Sequence, residues 1–304
     1  MQLSRREFIK MGVGAGLAMT CGSFAESLFA QEGKSSSPDM IAVRNGNPAQ
    51  MFESGIKEFG GMSRFVKSGQ AVVVKPNIGW AKTPEFGATT SPELVAKIVE
   101  HCYKAGAKKV YVFDNTCNSW NDCYEKSGIA KAAKDANADV KPGNREENYK
   151  KMSVKGATVL KDAMVHELFT EADVVINVPI LKHHGSAQMT AALKNYMGVV
   201  WDRRFFHSKG LHECIAESAL IRKADLTIVD AYQVMKQNGP RGLTKADIML
   251  KQMQIIATDM VAADTAAAKI LEFDTSKIAY LKKAEDLKIG TMAIDKLTIN
   301  KITL

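Results

Sequence analysis

The chain has 304 residues, 46% of them hydrophobic and 24% charged, which is ordinary globular composition and excludes wholesale disorder. Its formal charge of +8 favours anionic partners, but the lysines are spread out and no run of them alternates with aromatics, so nucleic acid is not an expected partner.

The first thirty residues read as an address. Ser4-Arg5-Arg6-Glu7-Phe8-Ile9-Lys10 is a twin-arginine motif, and residues 11–19 are weakly apolar, glycine-rich and too short to span a bilayer. They predict a signal peptide over 1–30, export through the twin-arginine translocation machinery and a periplasmic location, membrane-anchored if the signal stays uncleaved. Residues 31–40 then read as a linker, and 41–304 as a single α/β domain.

Residues 41–43 predict a first strand, and 51–59 carry apolar residues at helical spacing. Ala71-Val72-Val73-Val74 is a buried-strand run leading into Lys75-Pro76-Asn77, where proline ends the ladder and the strand delivers Lys75 and Asn77 to a loop. Thr89-Thr90-Ser91-Pro92-Glu93 predicts a helix start with a hydroxyl cap and proline in the first turn. The helix over 93–105 stops at Gly106, and a strand over 109–113 ends at Asp114 and Asn115, completing a β-α-β unit with an expected right-handed crossover. Residues 122–136 read as a helix interrupted at Ser127-Gly128, 141–151 as a loop, and 157–160 and 164–165 as short strands.

Residues 172–198 form the centre of the chain. Val174-Val175-Ile176 is a buried strand, and Asn177, Pro179, Lys182, His183, His184 and Gly185 make the loop at its carboxyl end, the usual ligand position in an α/β sheet. A helical segment follows, carrying Lys194 and Asn195. Residues 201–209 read as irregular, 211–221 as helix, 226–229 as a strand ending at Asp230, and Asn238-Gly239-Pro240-Arg241-Gly242 as a loop. Residues 254–257 form a strand closing at Thr258-Asp259, 260–271 a helix, and 289–304 one or two edge strands.

The fold class that follows is α/β, a mainly parallel sheet flanked by helices, with room for two pseudo-lobes. Five strands then end in polar groups: Lys75 with Asn77, Asp114, Asn177 with Lys182, Asp230, and Asp259. Parallel strands would bring these ends to one edge. Aspartate and asparagine also cap helices and turns at such positions, whereas Lys75 and Lys182 cannot accept a backbone amide.

Lys75-Pro76-Asn77, Asn177-Val178-Pro179-Ile180-Leu181-Lys182, Thr190-Ala191-Ala192-Leu193-Lys194-Asn195, Asn238-Gly239-Pro240-Arg241-Gly242 and Thr258-Asp259 through Ala263-Asp264 together resemble the family called domain of unknown function 362, over roughly residues 70–295. The family often has Lys-Thr-His where this chain has Lys182-His183-His184. Some members are joined to ferredoxin-type iron-sulfur modules, but this chain has no such cysteine array. The resemblance implies a shared ligand-binding core and no particular reaction.

Cys117 and Cys123 are close enough in sequence for a disulfide in an oxidising compartment, and Cys102 and Cys214 fall on helical patterns as buried thiols. No Cys-x-x-Cys pair or His-x-x-x-His spacing identifies a metal, and the sequence names no cofactor. His184 is a candidate acid or base because an unperturbed histidine titrates near working pH.

These residues support an exported enzyme acting on an anionic small molecule. Lys75, Lys182, Lys194 and Arg241 would neutralise a carboxylate or phosphate, Asn77, Asn177 and Asn195 would orient it, and His184, Lys182 or Asp230 would carry the catalytic step. A non-catalytic ligand- or cofactor-binding/delivery protein and an accessory redox partner of an iron-sulfur system are the alternatives left open.

Overall fold

The computed structural model describes residues 37–304; the twin-arginine segment and residues 31–36 of the linker lie outside them. In chain order the strands are β1 (Met40–Arg44), β2 (Ala71–Pro76), β3 (Lys109–Val112), β4 (Asp139–Val140), β5 (Tyr149–Ser153), β6 (Asp162–His166), β7 (Val174–Val178), β8 (Ile180–His184), β9 (Gln188–Thr190), β10 (Leu226–Met235), β11 (Ile248–Ala257) and β12 (Ile299–Thr303). The α-helices are α1 (Pro48–Glu58), α2 (Pro92–Lys104), α3 (Trp120–Lys126), α4 (Ile129–Asp135), α5 (Glu167–Glu171), α6 (Ala192–Asn195), α7 (Arg204–Lys209), α8 (Leu211–Ser218), α9 (Met260–Ile270) and α10 (Ala279–Asp286).

The main sheet runs β12-β1-β11-β10-β7-β2-β3-β4, and β8 joins it through β10. From β10 to β4 every neighbouring pair is parallel. Only β11 opposes its neighbours on that path, pairing antiparallel with both β1 and β10. The result is the mixed α/β fold with a largely parallel central sheet flanked by helices that the strand-helix alternation predicts.

Both faces of the sheet are covered, which is why its strands read as unbroken apolar runs. Val72, Val74, Val110, Val112, Ile176 and Ile228 pack with residues of α1, α2 and α4 on one side. Val73, Val175, Val229 and Ile255 pack with residues of α6, α8, α9 and α10 on the other. The two-residue side-chain period of a strand therefore puts Lys75 and Asn177 on the same face as Val73 and Val175, towards α6.

Several sequence expectations change. Because β11 is antiparallel, Thr258-Asp259 lies at the amino-terminal end of β10, Thr227 being opposite Ala257, and not with the other strand ends. There Asp259 caps α9 by accepting from the Val261 and Ala262 amides. Lys182-His183-His184 is not a loop but strand β8, folded back on β9 as an antiparallel hairpin. Residues 201–209 include the short helix α7, β10 continues past Asp230 to Met235, and 157–160 form no strand. The 141–151 loop is interrupted at its end by β5, which pairs with β6 apart from the main sheet. At α2 the Ser91 hydroxyl makes no cap bond. Its amide instead donates to Asp230 Oδ2 at 2.8 Å.

Candidate functional site

The carboxyl ends of β2 and β7 are joined to α6 by one polar hub. Lys75 and Asn177 are register partners on adjacent parallel strands, so their side chains emerge side by side. Asn195 Nδ2 donates to the Lys75 carbonyl at 3.1 Å and to Asn177 Oδ1 at 2.9 Å, while its Oδ1 accepts from Lys75 Nζ and Asn77 Nδ2, each at 3.1 Å. Asn177 Nδ2 in turn donates to the Ala192 carbonyl at 3.0 Å. Asp264 of α9 accepts from the amides of Ala192 and Leu193, fixing the first turn of α6. A four-residue helix is too short to be stable alone, and these bonds hold it and its Lys194 in place. Burial pushes the Asp264 carboxyl up to about 7, against the lowering effect of those two amides.

Lys75 ends in a buried ion pair, its Nζ 2.7 Å from Asp114 Oδ1. The other Asp114 oxygen accepts from the Ile78 amide at 2.6 Å. Burial lowers the Lys75 pKa and the Asp114 charge opposes that shift. The pair leaves no space around it: a methyl group on Gly198 would collide with Asp114 Oδ1 and come to 2.6 Å of Lys75 Nζ.

Above this hub opens a cavity of about 390 Å³ that Lys75, Asn77, Lys182, His184, Lys194 and Asn195 all line. Lys182 Nζ donates to the Ala88 carbonyl at 2.5 Å and to Asn77 Oδ1 at 3.2 Å. Lys194 Nζ has the Met197 sulfur at 3.3 Å, a weak acceptor. Neither lysine has a carboxylate partner among the described residues. Burial first, then neighbouring cations, brings Lys182 down to about 7 and Lys194 to about 8, with Cys117 opposing both shifts. Thr190 also lines the cavity, and its buried hydroxyl has no hydrogen-bond partner.

His184 takes a different role from the one its ordinary pKa suggests. Burial, then the charges of Lys194 and Lys182, push it down to about 3, so the ring is neutral at working pH. Its Nδ1 accepts from the Ser186 and Ala187 amides at 3.2 and 3.1 Å, which puts the ring proton on Nε2. His184 is thus a neutral hydrogen-bond donor, and Lys182 is the cavity group that titrates near neutrality.

The remaining candidates fall elsewhere. Asp230 is buried on a second cavity, Asn177 is spent on the hub, and Arg241 is exposed while its neighbour Pro240 lines the main cavity. Cys117 and Cys123 are free thiols, the first exposed and the second buried. Sequence reasoning gave no site role to Trp80, Cys117, Thr190, Gly198, Arg203 or His207, all of which line the cavity. Arg203 donates to the Asn115 carbonyl at 3.0 Å and lies 3.1 Å from the Cys117 sulfur. Among the described residues no three His, Cys, Asp or Glu side chains gather as a metal-binding group. No helix of the described residues is long and apolar enough to cross a membrane.

The chain is 27% identical over 251 residues to the thylakoid-associated protein sll1697 of Synechocystis sp., covering 79% of this chain and 75% of that protein. Among solved structures, it is similar to the lactate racemase apoprotein of Thermoanaerobacterium thermosaccharolyticum, with 11% identity and a TM-score of 0.44 over 81% of this chain. The chain spans 56% of that structure's length. Residues 72–269, which contain all but the first residue of β2, the hub, the cavity lysines and all but the last residue of α9, match the family described as domain of unknown function, DUF362. The chain belongs to the DUF362 family.

Proposed function

We propose that the main cavity binds a small anionic molecule and that the protein is an enzyme acting on it. The observation that carries this reading is the pair Lys182 and Lys194, two buried ammonium groups on one cavity with no carboxylate partner among the described residues. Unpaired buried charge is costly, and a carboxylate or phosphate would supply the missing counter-charge. His184 Nε2–H and the Thr190 hydroxyl are further donors for its oxygens. Asn77 and Asn195 set the floor. Lys182 is the group suited to move a proton, because a pKa near 7 lets it give or take one at working pH. The twin-arginine motif supports a periplasmic site of action, reached by export of the folded chain.

Matched acids and amides test the binding. Malonate, pyruvate and phosphate should raise the melting temperature, and malonamide and pyruvamide should not; equal effects of acid and amide would remove the electrostatic basis of the reading. Turnover is read separately, by NMR detection of product or of solvent deuterium entering the bound molecule. An anion that binds and is released unchanged would favour the ligand- or cofactor-delivery alternative.

A further inference from the structure

Asp230 leads to a second site. The segment after Ala88 turns from the main cavity, where the Ala88 carbonyl holds Lys182, to a separate cavity of about 290 Å³ lined by Thr89, Ser91, Glu93, Ile180, Asp230 and Tyr232 among others. We propose that this second cavity binds a small organic ammonium ion, held by the carboxylates of Asp230 and Glu93 and the hydroxyl of Thr89.

Three observations converge on that class of ligand. Asp230 is 2% exposed, yet its oxygens meet only the Ser91 amide at 2.8 Å and the Tyr232 amide at 3.1 Å. Neither it nor Glu93 has a cationic partner among the described residues, although the chain carries a formal charge of +8. Thr89 is 1% exposed, and its hydroxyl lacks any hydrogen-bond partner. Such a buried hydroxyl wants a donor or acceptor that the protein does not provide.

Burial pushes the Asp230 carboxyl up to about 6 and the Glu93 charge adds to that shift, while Glu93, the more exposed of the two, is raised by the partial burial of its carboxyl. A cation between them relieves both effects. An anion is disfavoured there by the two carboxylates, and the amide of Ser91, the residue before α2, is already taken by Asp230. A neutral apolar guest would leave the Thr89 hydroxyl unpaired. A metal ion has too few protein ligands, since two carboxylates and one hydroxyl do not fill the shell of a hard cation. A primary ammonium brings three donors to three oxygen-bearing side chains, and the cavity has room for a short carbon chain beside Ile180 and the two prolines, Pro84 and Pro92.

The test is calorimetric titration of the folded protein at pH 7.5 with n-butylammonium, using n-butanol as the neutral isostere. Wild type should bind the ammonium at least about tenfold more tightly than the alcohol. Glu93→Gln, at an exposed helix position, should weaken ammonium binding by about fivefold or more, and Asp230→Asn and Thr89→Val should weaken it further. Arg241→Ala, at an exposed residue that lines neither cavity, should leave ammonium binding unchanged. No ammonium binding by wild type, equal binding of the alcohol, or an unaltered affinity in Glu93→Gln would overturn the proposal.

Discussion

Replacing Lys182 with methionine should make the protein more stable at slightly acid pH while removing its capacity to hold an anion. The fully buried Lys182 ammonium has its pKa lowered from the ordinary 10.5 to about 7, chiefly by burial. Below pH 7 the folded and unfolded chains both carry the proton, so the folded state bears the whole cost of burying it. Between 7 and 10.5 the unfolded chain binds more protons than the folded one, so stability rises with pH. Converted at about 1.4 kcal/mol per pKa unit, the cost is roughly 5 kcal/mol at pH 6.5 and roughly 1 kcal/mol at pH 9.5.

Methionine fills similar space and removes that cost. It also strands the Ala88 carbonyl and leaves Asn77 Oδ1 with the Gly79 amide at 3.3 Å, which takes back about 1–2 kcal/mol. The net gain is therefore ~3 kcal/mol at pH 6.5 and close to zero at pH 9.5. In a chain of this size that is a melting-temperature rise of several degrees, at about 2–4 °C per kcal/mol. Urea unfolding at the two pH values measures it, and the difference between them does not depend on the lost hydrogen bonds. A variant less stable than wild type at pH 6.5, with the same deficit at pH 9.5, would refute the assignment of Lys182 as a buried, unpaired charge.

Other consequences are equally direct. Affinity for an anion should fall by at least about fivefold between pH 7 and pH 8 as Lys182 and then Lys194 lose their protons, and Lys182→Arg should flatten the Lys182 part of that profile; calorimetry across the range reads both. Gly198→Ala should cost about 1–3 kcal/mol in urea unfolding, because the new methyl meets the Lys75–Asp114 pair. Arg241→Ala should leave anion affinity within about twofold, its side chain being exposed and off the cavity wall. Iodoacetamide should modify the folded protein at Cys117 and spare Cys102, Cys123 and Cys214, read by peptide mapping of those four positions, and a bound anion should slow the reaction.

Much of the sheet is legible in the sequence because burial on both faces leaves strands such as β2 and β7 apolar up to Lys75 and Asn177, near their carboxyl ends. Val72, Val73 and Val74 announce a strand whichever neighbour they pair with. Strand direction is not written locally: nothing in residues 254–257 distinguishes an antiparallel β11 from a parallel one, and so Asp259 is placed at the wrong edge. The β8–β9 hairpin is hidden for another reason. Its Lys182 and His184 face a cavity, so the polar residues that mark a loop elsewhere here belong to a strand.

The cavity lysines are legible because a lysine in an apolar segment has no capping duty to explain it. Their neighbours are not. Cys117, Thr190 and Arg203 come from separate segments and meet only through tertiary packing, and Gly198 matters for a side chain it lacks. The typical histidine pKa misleads at His184, where burial and two nearby lysines remove the proton that a solvent-exposed ring would keep.

The most direct test of the central claim is a calorimetric titration at pH 6.5 of wild type, Lys182→Met and Lys194→Met with malonate, pyruvate and phosphate. These probes should bind wild type at one molecule per chain and bind each variant at least about tenfold more weakly. Wild type that binds none of them, or variants that bind as tightly as wild type, would contradict an anion site built on these two lysines.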